Sequence, residues 1–75
     1  MKVKIYTTRA CPKCFELKNF LKSKNVDFED IDVGVDINMA NEMIEKSDQL
    51  TIPVVDIDGK IIIGLDEKAI EEALK

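Results

Sequence analysis

Ala10-Cys11-Pro12-Lys13-Cys14-Phe15 holds the only two cysteines of a 75-residue chain. The run before it, Lys2-Val3-Lys4-Ile5-Tyr6-Thr7, alternates like a strand, and the run after it, Phe15 to Lys24, is patterned like a helix. A Cys-x-x-Cys pair where a strand hands over to a helix reads as a dithiol redox site. The first N–H groups of a helix lack intrahelical partners and, with the macrodipole, favour an anion, so a thiolate at Cys11 is stabilised there. Lys13 adds a nearby positive charge, and both effects lower the thiol's pKa. Pro12 suits the first helical position, where its fixed φ fits and no N–H is needed. Cys14 lies one turn on and can reach back to close a disulfide.

Other uses of two cysteines fit less well. A structural zinc site needs four ligands, and the chain has no histidine and no third cysteine. A c-type haem attachment needs histidine where Phe15 stands. A purely structural bridge would close a tiny loop and stabilise little. A metal or iron–sulfur cluster held through Cys11 between two chains stays open as the alternative. A scaffold that merely kept the fold is a further possibility.

The length allows one domain, residues 1–75, with a modest core from its 45% hydrophobic content. A net charge of −4 with no basic cluster argues against nucleic acid. No apolar run approaches the roughly 18 residues of a membrane span. The N-terminus enters a strand directly and shows no signal-peptide core, so a cytoplasmic location is expected, where the pair would keep cycling.

In order, residues 2–7 read as a strand, and Pro12 to about Lys24 as a helix with Cys14, Leu17, Phe20 and Leu21 inward. That leaves Cys11 at the exposed tip. Asn25 is a stop, and Val26 to Val33 reads as an edge strand guarded by Asp27, Glu29, Asp30 and Asp32. Asp36 caps a second helix to about Ser47, with Ile37, Ala40, Met43 and Ile44 inward and Glu42, Glu45 and Lys46 outward. Met39 and Met43 read as gap-fillers. Pro53 opens the strand Val54–Ile57, Asp58-Gly59 is a type I′ turn, and Lys60–Ile63 returns. Gly64 breaks that strand and Asp66 caps a last helix, with Leu65 and Ile70 as a hydrophobic staple. Strand, helix, strand, helix, strand, strand, helix makes an α/β chain with a parallel first half and an antiparallel hairpin.

With this order and Cys11-Pro12-Lys13-Cys14 in hand, the chain resembles the glutaredoxin family nearly end to end. Thr51-Ile52-Pro53 looks like the family's Thr-Val-Pro, and Gly64-Leu65-Asp66 like part of its Gly-Gly-x-Asp turn. The resemblance implies a thioredoxin-like fold, βαβ followed by αββα, with a four-stranded mixed sheet and helices on both faces. It also implies a cis Ile52–Pro53 bond facing the disulfide. Thr8 stands where glutathione users commonly keep lysine, Lys13 where they keep an aromatic residue, and Ile63 where they keep a first glycine. These changes resemble the glutaredoxin-like redoxins that serve ribonucleotide reductase, though the tryptophan-containing turn usual there is absent.

The expected activity is thiol–disulfide exchange on protein or small disulfides, with Cys11 as nucleophile and Cys14 resolving. Tyr6, Thr8, Arg9, Pro12, Lys13, Thr51, Ile52, Pro53, Gly64 and Asp66 are the expected substrate groove. No bound cofactor is expected. Electrons would come from glutathione or from an NADPH-dependent, thioredoxin-reductase-type flavoenzyme. The partners would be disulfide-containing client proteins, and the chain a monomer.

Overall fold

A computed structural model describes residues 2–75. Its elements are β1 (Val3–Thr7), α1 (Pro12–Ser23), β2 (Glu29–Asp32), α2 (Ile37–Ser47), β3 (Val54–Ile57), β4 (Lys60–Ile63) and α3 (Glu67–Leu74). The sheet order is β2-β1-β3-β4, with β1 and β2 parallel and the other two pairings antiparallel. This is the expected mixed thioredoxin-like sheet, with β2 at one edge.

The strand parity divides the core in two. Val3, Ile5, Val55, Ile57 and Ile62 point to one face and bury against Leu17 and Leu21 of α1 and Ile70 of α3. Tyr6, Ile31 and Val54 point to the other face and meet Met43 of α2. Burying each such aliphatic side chain is worth about 1.5–3 kcal/mol. The staple forms as expected, for Leu65 packs on the cluster that holds Ile70, and Asp66 Oδ1 accepts the Ala69 N–H at 3.1 Å.

Local chemistry sets the boundaries. Asn25 sits at φ 58°, and the Asn25 and Val26 N–H groups return to Lys22 and Leu21 carbonyls, which closes α1 in a Schellman motif. The chain therefore still wraps the helix end at Val26, so β2 begins only at Glu29, later than the alternation indicates. At the hairpin, Asp58 and Gly59 both have positive φ, as a type I′ turn requires.

Helix α2 departs from its expected stripe. Asp36 caps it, accepting from the Asn38 and Met39 N–H groups. Met39 and Met43 do fill the core, yet Ile37 is 74% exposed and Ile44 is also at the surface. Lys46, expected outward, turns in. Its Nζ donates to Asp56 Oδ2 at 2.7 Å and to the Tyr6 hydroxyl at 2.8 Å. Two polar partners on the sheet rotate the helix away from the face that hydrophobicity alone selects.

Candidate active site

The registers decide what meets at the redox pair. Thr7 lies beside Asp32, Tyr6 beside Val54, and Val54 beside Ile63. One end of the sheet therefore gathers the Thr8–Cys14 loop, the turn after β2, the Thr51–Pro53 segment and Gly64. Asp66 follows two residues later. Residues dispersed over most of the sequence share this end because β1 is central and its neighbours start or stop there.

Cys11 is the N-cap of α1 and Pro12 its first residue, as the sequence indicates. Cys11 and Cys14 are joined as a disulfide with Cα atoms 5.2 Å apart. Cys14 is 1% exposed, one turn above Leu17 on the inward stripe, whereas Cys11 is half-buried and reachable. The Cys11 Sγ accepts the Cys14 N–H at 3.1 Å. A donor at a helix start is thus already aimed at the sulfur that carries negative charge after reduction.

The other expected groove residues divide by exposure. Pro12, Lys13, Arg9, Thr51 and Asp66 are exposed, and Thr8, Ile52 and Gly64 half-buried, all at the redox end. Pro53 is buried at the start of β3, its bond to Ile52 is cis as the resemblance implies, and its carbonyl accepts the Gly64 N–H at 2.8 Å. Tyr6 is the correction. It is fully buried on the α2 face with its hydroxyl against Lys46, so it is a core residue and not part of the groove rim. Its place between Ile31 of β2 and Val54 of β3, with the parity of the α2 face, is the reason.

Asp32 is a site residue that the sequence reading placed only as an edge-strand acid. Its Oδ2 pairs with Arg9 Nε at 3.3 Å and its Oδ1 accepts the Gly34 N–H at 2.8 Å, tying the redox loop to the turn after β2. At the same edge the Thr7 hydroxyl and Lys18 both bind Asp30. Burial alone would raise the Asp30 pKa, but those two bonds and the Lys18 charge hold it below the ordinary value.

The glutaredoxin family model matches residues 3–62. An uncharacterized glutaredoxin-like 8.6 kDa protein in a rubredoxin operon of Clostridium pasteurianum is 42% identical over 73 residues, 97% of each chain. Glutaredoxin 3 of Escherichia coli is 37% identical over 65 residues, covering 87% of this chain and 78% of that one. Among solved structures, the glutaredoxin-like NrdH-redoxin of Escherichia coli, described as having a thioredoxin-like activity profile, superposes with a TM-score of 0.87 at 25% identity over 96% of this chain and 93% of that one. With a disulfide-capable pair set at the head of α1, the chain belongs to the glutaredoxin family of thiol–disulfide oxidoreductases.

Proposed function

We propose that this chain is a one-domain cytoplasmic reductase of protein disulfides. Reduced Cys11, as thiolate, attacks one sulfur of a client disulfide. A mixed disulfide forms and the other client sulfur leaves as a thiolate that takes up a proton. Cys14 then attacks the Cys11 sulfur, the second client thiol departs, and the Cys11–Cys14 disulfide remains, two electrons having passed to the client. The observation that carries this reading is the unequal exposure of the two sulfurs, one reachable at the helix tip and one enclosed beside it.

Thr51 and Ile52 lie outside the sheet ladder, which starts at Val54, and this supports a role for their backbone in pairing with an extended client segment. Arg9, Lys13, Gly64 and Asp66 would border that segment, with Pro12 and Pro53 shaping the site. A thioredoxin-reductase-type flavoenzyme is the preferred electron donor over glutathione. Three features support this. Thr8 supplies no cation, the Arg9 charge is already engaged by Asp32, and the branched Ile63 stands beside Gly64 where a tripeptide would need open backbone. The thioredoxin-like profile of the NrdH-redoxin points the same way.

Three measurements test the proposal. Cys11→Ser should abolish disulfide reduction, while Cys14→Ser should accumulate mixed disulfides with clients; trapping by the Cys11→Ser variant alone would reverse the assignment. NADPH consumption should be faster with thioredoxin reductase than with glutathione and its reductase. Efficient glutathione turnover that Asp66→Ala abolishes would overturn the donor preference. A visible chromophore in anaerobically purified protein would favour the cluster-carrier alternative.

A further inference from the structure

Two depressions flank the redox loop and share Arg9 and Ala10. One is bordered by Cys11, Pro12, Phe15 and Glu16, and the other by Thr8, Asp32, Gly34 and Val35. We propose that the second is a subsite for a bulky apolar side chain next to the reacting cysteine of an extended protein client. This deepens the reading of the chain as a disulfide reductase and rests on it.

The chemistry of the walls supports an apolar occupant. Arg9 Nε pairs with Asp32 Oδ2 at 3.3 Å, so two opposite charges offset each other at the rim, and the second Asp32 oxygen takes the Gly34 N–H at 2.8 Å. What remains facing the opening is the Thr8 methyl, Ala10 and Val35, the last 70% exposed. Gly34 has no positive φ that would demand glycine. A Cβ there would instead sit 3.1 Å from Asp32 Oδ1 and 3.7 Å from Thr8 Cγ2, so its absence keeps the floor open and leaves the ion pair undisturbed.

The surroundings are consistent with this occupant. Among the described residues the exposed large apolar side chains are Phe15, Val35, Ile37, Leu50, Ile63 and Ile44. All but Ile44 belong to segments at the sheet end that carries Cys11. Solvent-exposed apolar surface concentrated around a reactive atom marks an interaction site. A client must bring its sulfur to Cys11, so the loop and its second depression are covered together. Glutathione has no large apolar side chain to place there, which makes a protein segment the occupant.

The test uses two peptide disulfides of equal charge and length, one with valine and one with serine beside the reacting cysteine, together with hydroxyethyl disulfide and the mixed disulfide of glutathione. One methylene more or less in an apolar pocket is worth about tenfold to 200-fold in kcat/KM, and this open depression should give about tenfold in favour of valine. Val35→Ser should remove that preference and leave hydroxyethyl disulfide reduction unchanged, whereas Ile44→Ser should keep the preference. Equal kcat/KM for the two peptides with the wild-type chain would overturn the subsite alone. So would a Val35→Ser loss as large for the glutathione disulfide as for the valine peptide, which would make the depression a tripeptide site. Failure to reduce any of the four would overturn the redox reading itself.

Discussion

The two faces of the sheet are built on different principles. The α1/α3 face is a dry cluster of Val3, Ile5, Leu17, Leu21, Val55, Ile57, Ile62 and Ile70, with its charged contacts, Lys18 to Asp30 and Lys24 to Glu71, kept at the edge. The α2 face holds Tyr6, Ile31, Met43 and Val54 and then sets Lys46 against Asp56 and the Tyr6 hydroxyl. The Lys46 Nζ also lies 5.3 Å from the Tyr6 ring centre and 3.5 Å from Glu42. The dry face anchors the helix that carries both cysteines and needs only close packing. The other face trades apolar area for directional contacts, which fix the rotation of α2. Apolar packing tolerates many neighbours, whereas a hydrogen-bonded pair admits one orientation.

The largest expected effect lies on the dry face. Leu21→Ala removes a fully buried side chain and should cost about 3 kcal/mol, read as a shift in the urea midpoint. A domain of this size has a total stability of about 4–11 kcal/mol, so the variant should sit near its limit. A loss below about 1 kcal/mol would mean that α1 packs loosely and would erase the contrast.

Lys46→Ala should cost somewhat less, about 2 kcal/mol, because it strands the enclosed Asp56 carboxylate while its own head is partly solvated. Lys46→Met combined with Asp56→Asn should recover about 1 kcal/mol relative to the sum of the single variants. Strict additivity would reduce the pair to a bystander.

The smallest effect is a pH dependence. Burial alone would raise the Asp56 pKa, but the bonds from Lys46 and the Gly59 N–H, with the Lys46 and Lys4 charges, hold it below the ordinary value. A depressed carboxylate stabilises the fold above its unfolded pKa of about 4, and that contribution fades as pH falls through the folded value. Lys46 moves the other way. Burial would lower its pKa, yet Asp56 and Tyr6 raise it above the ordinary lysine value, so its contribution fades only in strong alkali. The stability gap between wild type and Asp56→Asn should therefore be flat from about pH 5 to 9 and shrink below about pH 4. A gap unchanged at pH 3 would deny Asp56 this role.

What the sequence made legible follows the same division. The dry face obeys periodicity, so β1, α1, the hairpin and α3 are readable, and so is Cys14 on the inward stripe. The α2 face is not readable by hydrophobicity, because a lysine counts as outward until its partner is known, and that partner lies ten residues away on another element. The usable signal was Asp56 itself, a carboxylate between Val55 and Ile57 in mid-strand, which needs a donor when buried. The redox pair is local and was legible; Asp32 was not, because its contacts with Arg9 and Gly34 depend on the β1–β2 register.

Asp56 divides its two oxygens between distant places, Oδ2 to Lys46 on α2 and Oδ1 to the Gly59 N–H at the hairpin tip, 2.8 Å away. A turn amide at an exposed tip ordinarily trades its proton with solvent almost at once. Here the Gly59 amide is held by a carboxylate that is itself held by a helix, so it is released only when both let go. In deuterated water the hairpin tip should exchange in step with α2, as one cooperative unit, and Asp56→Ala should let the tip exchange independently of the helix.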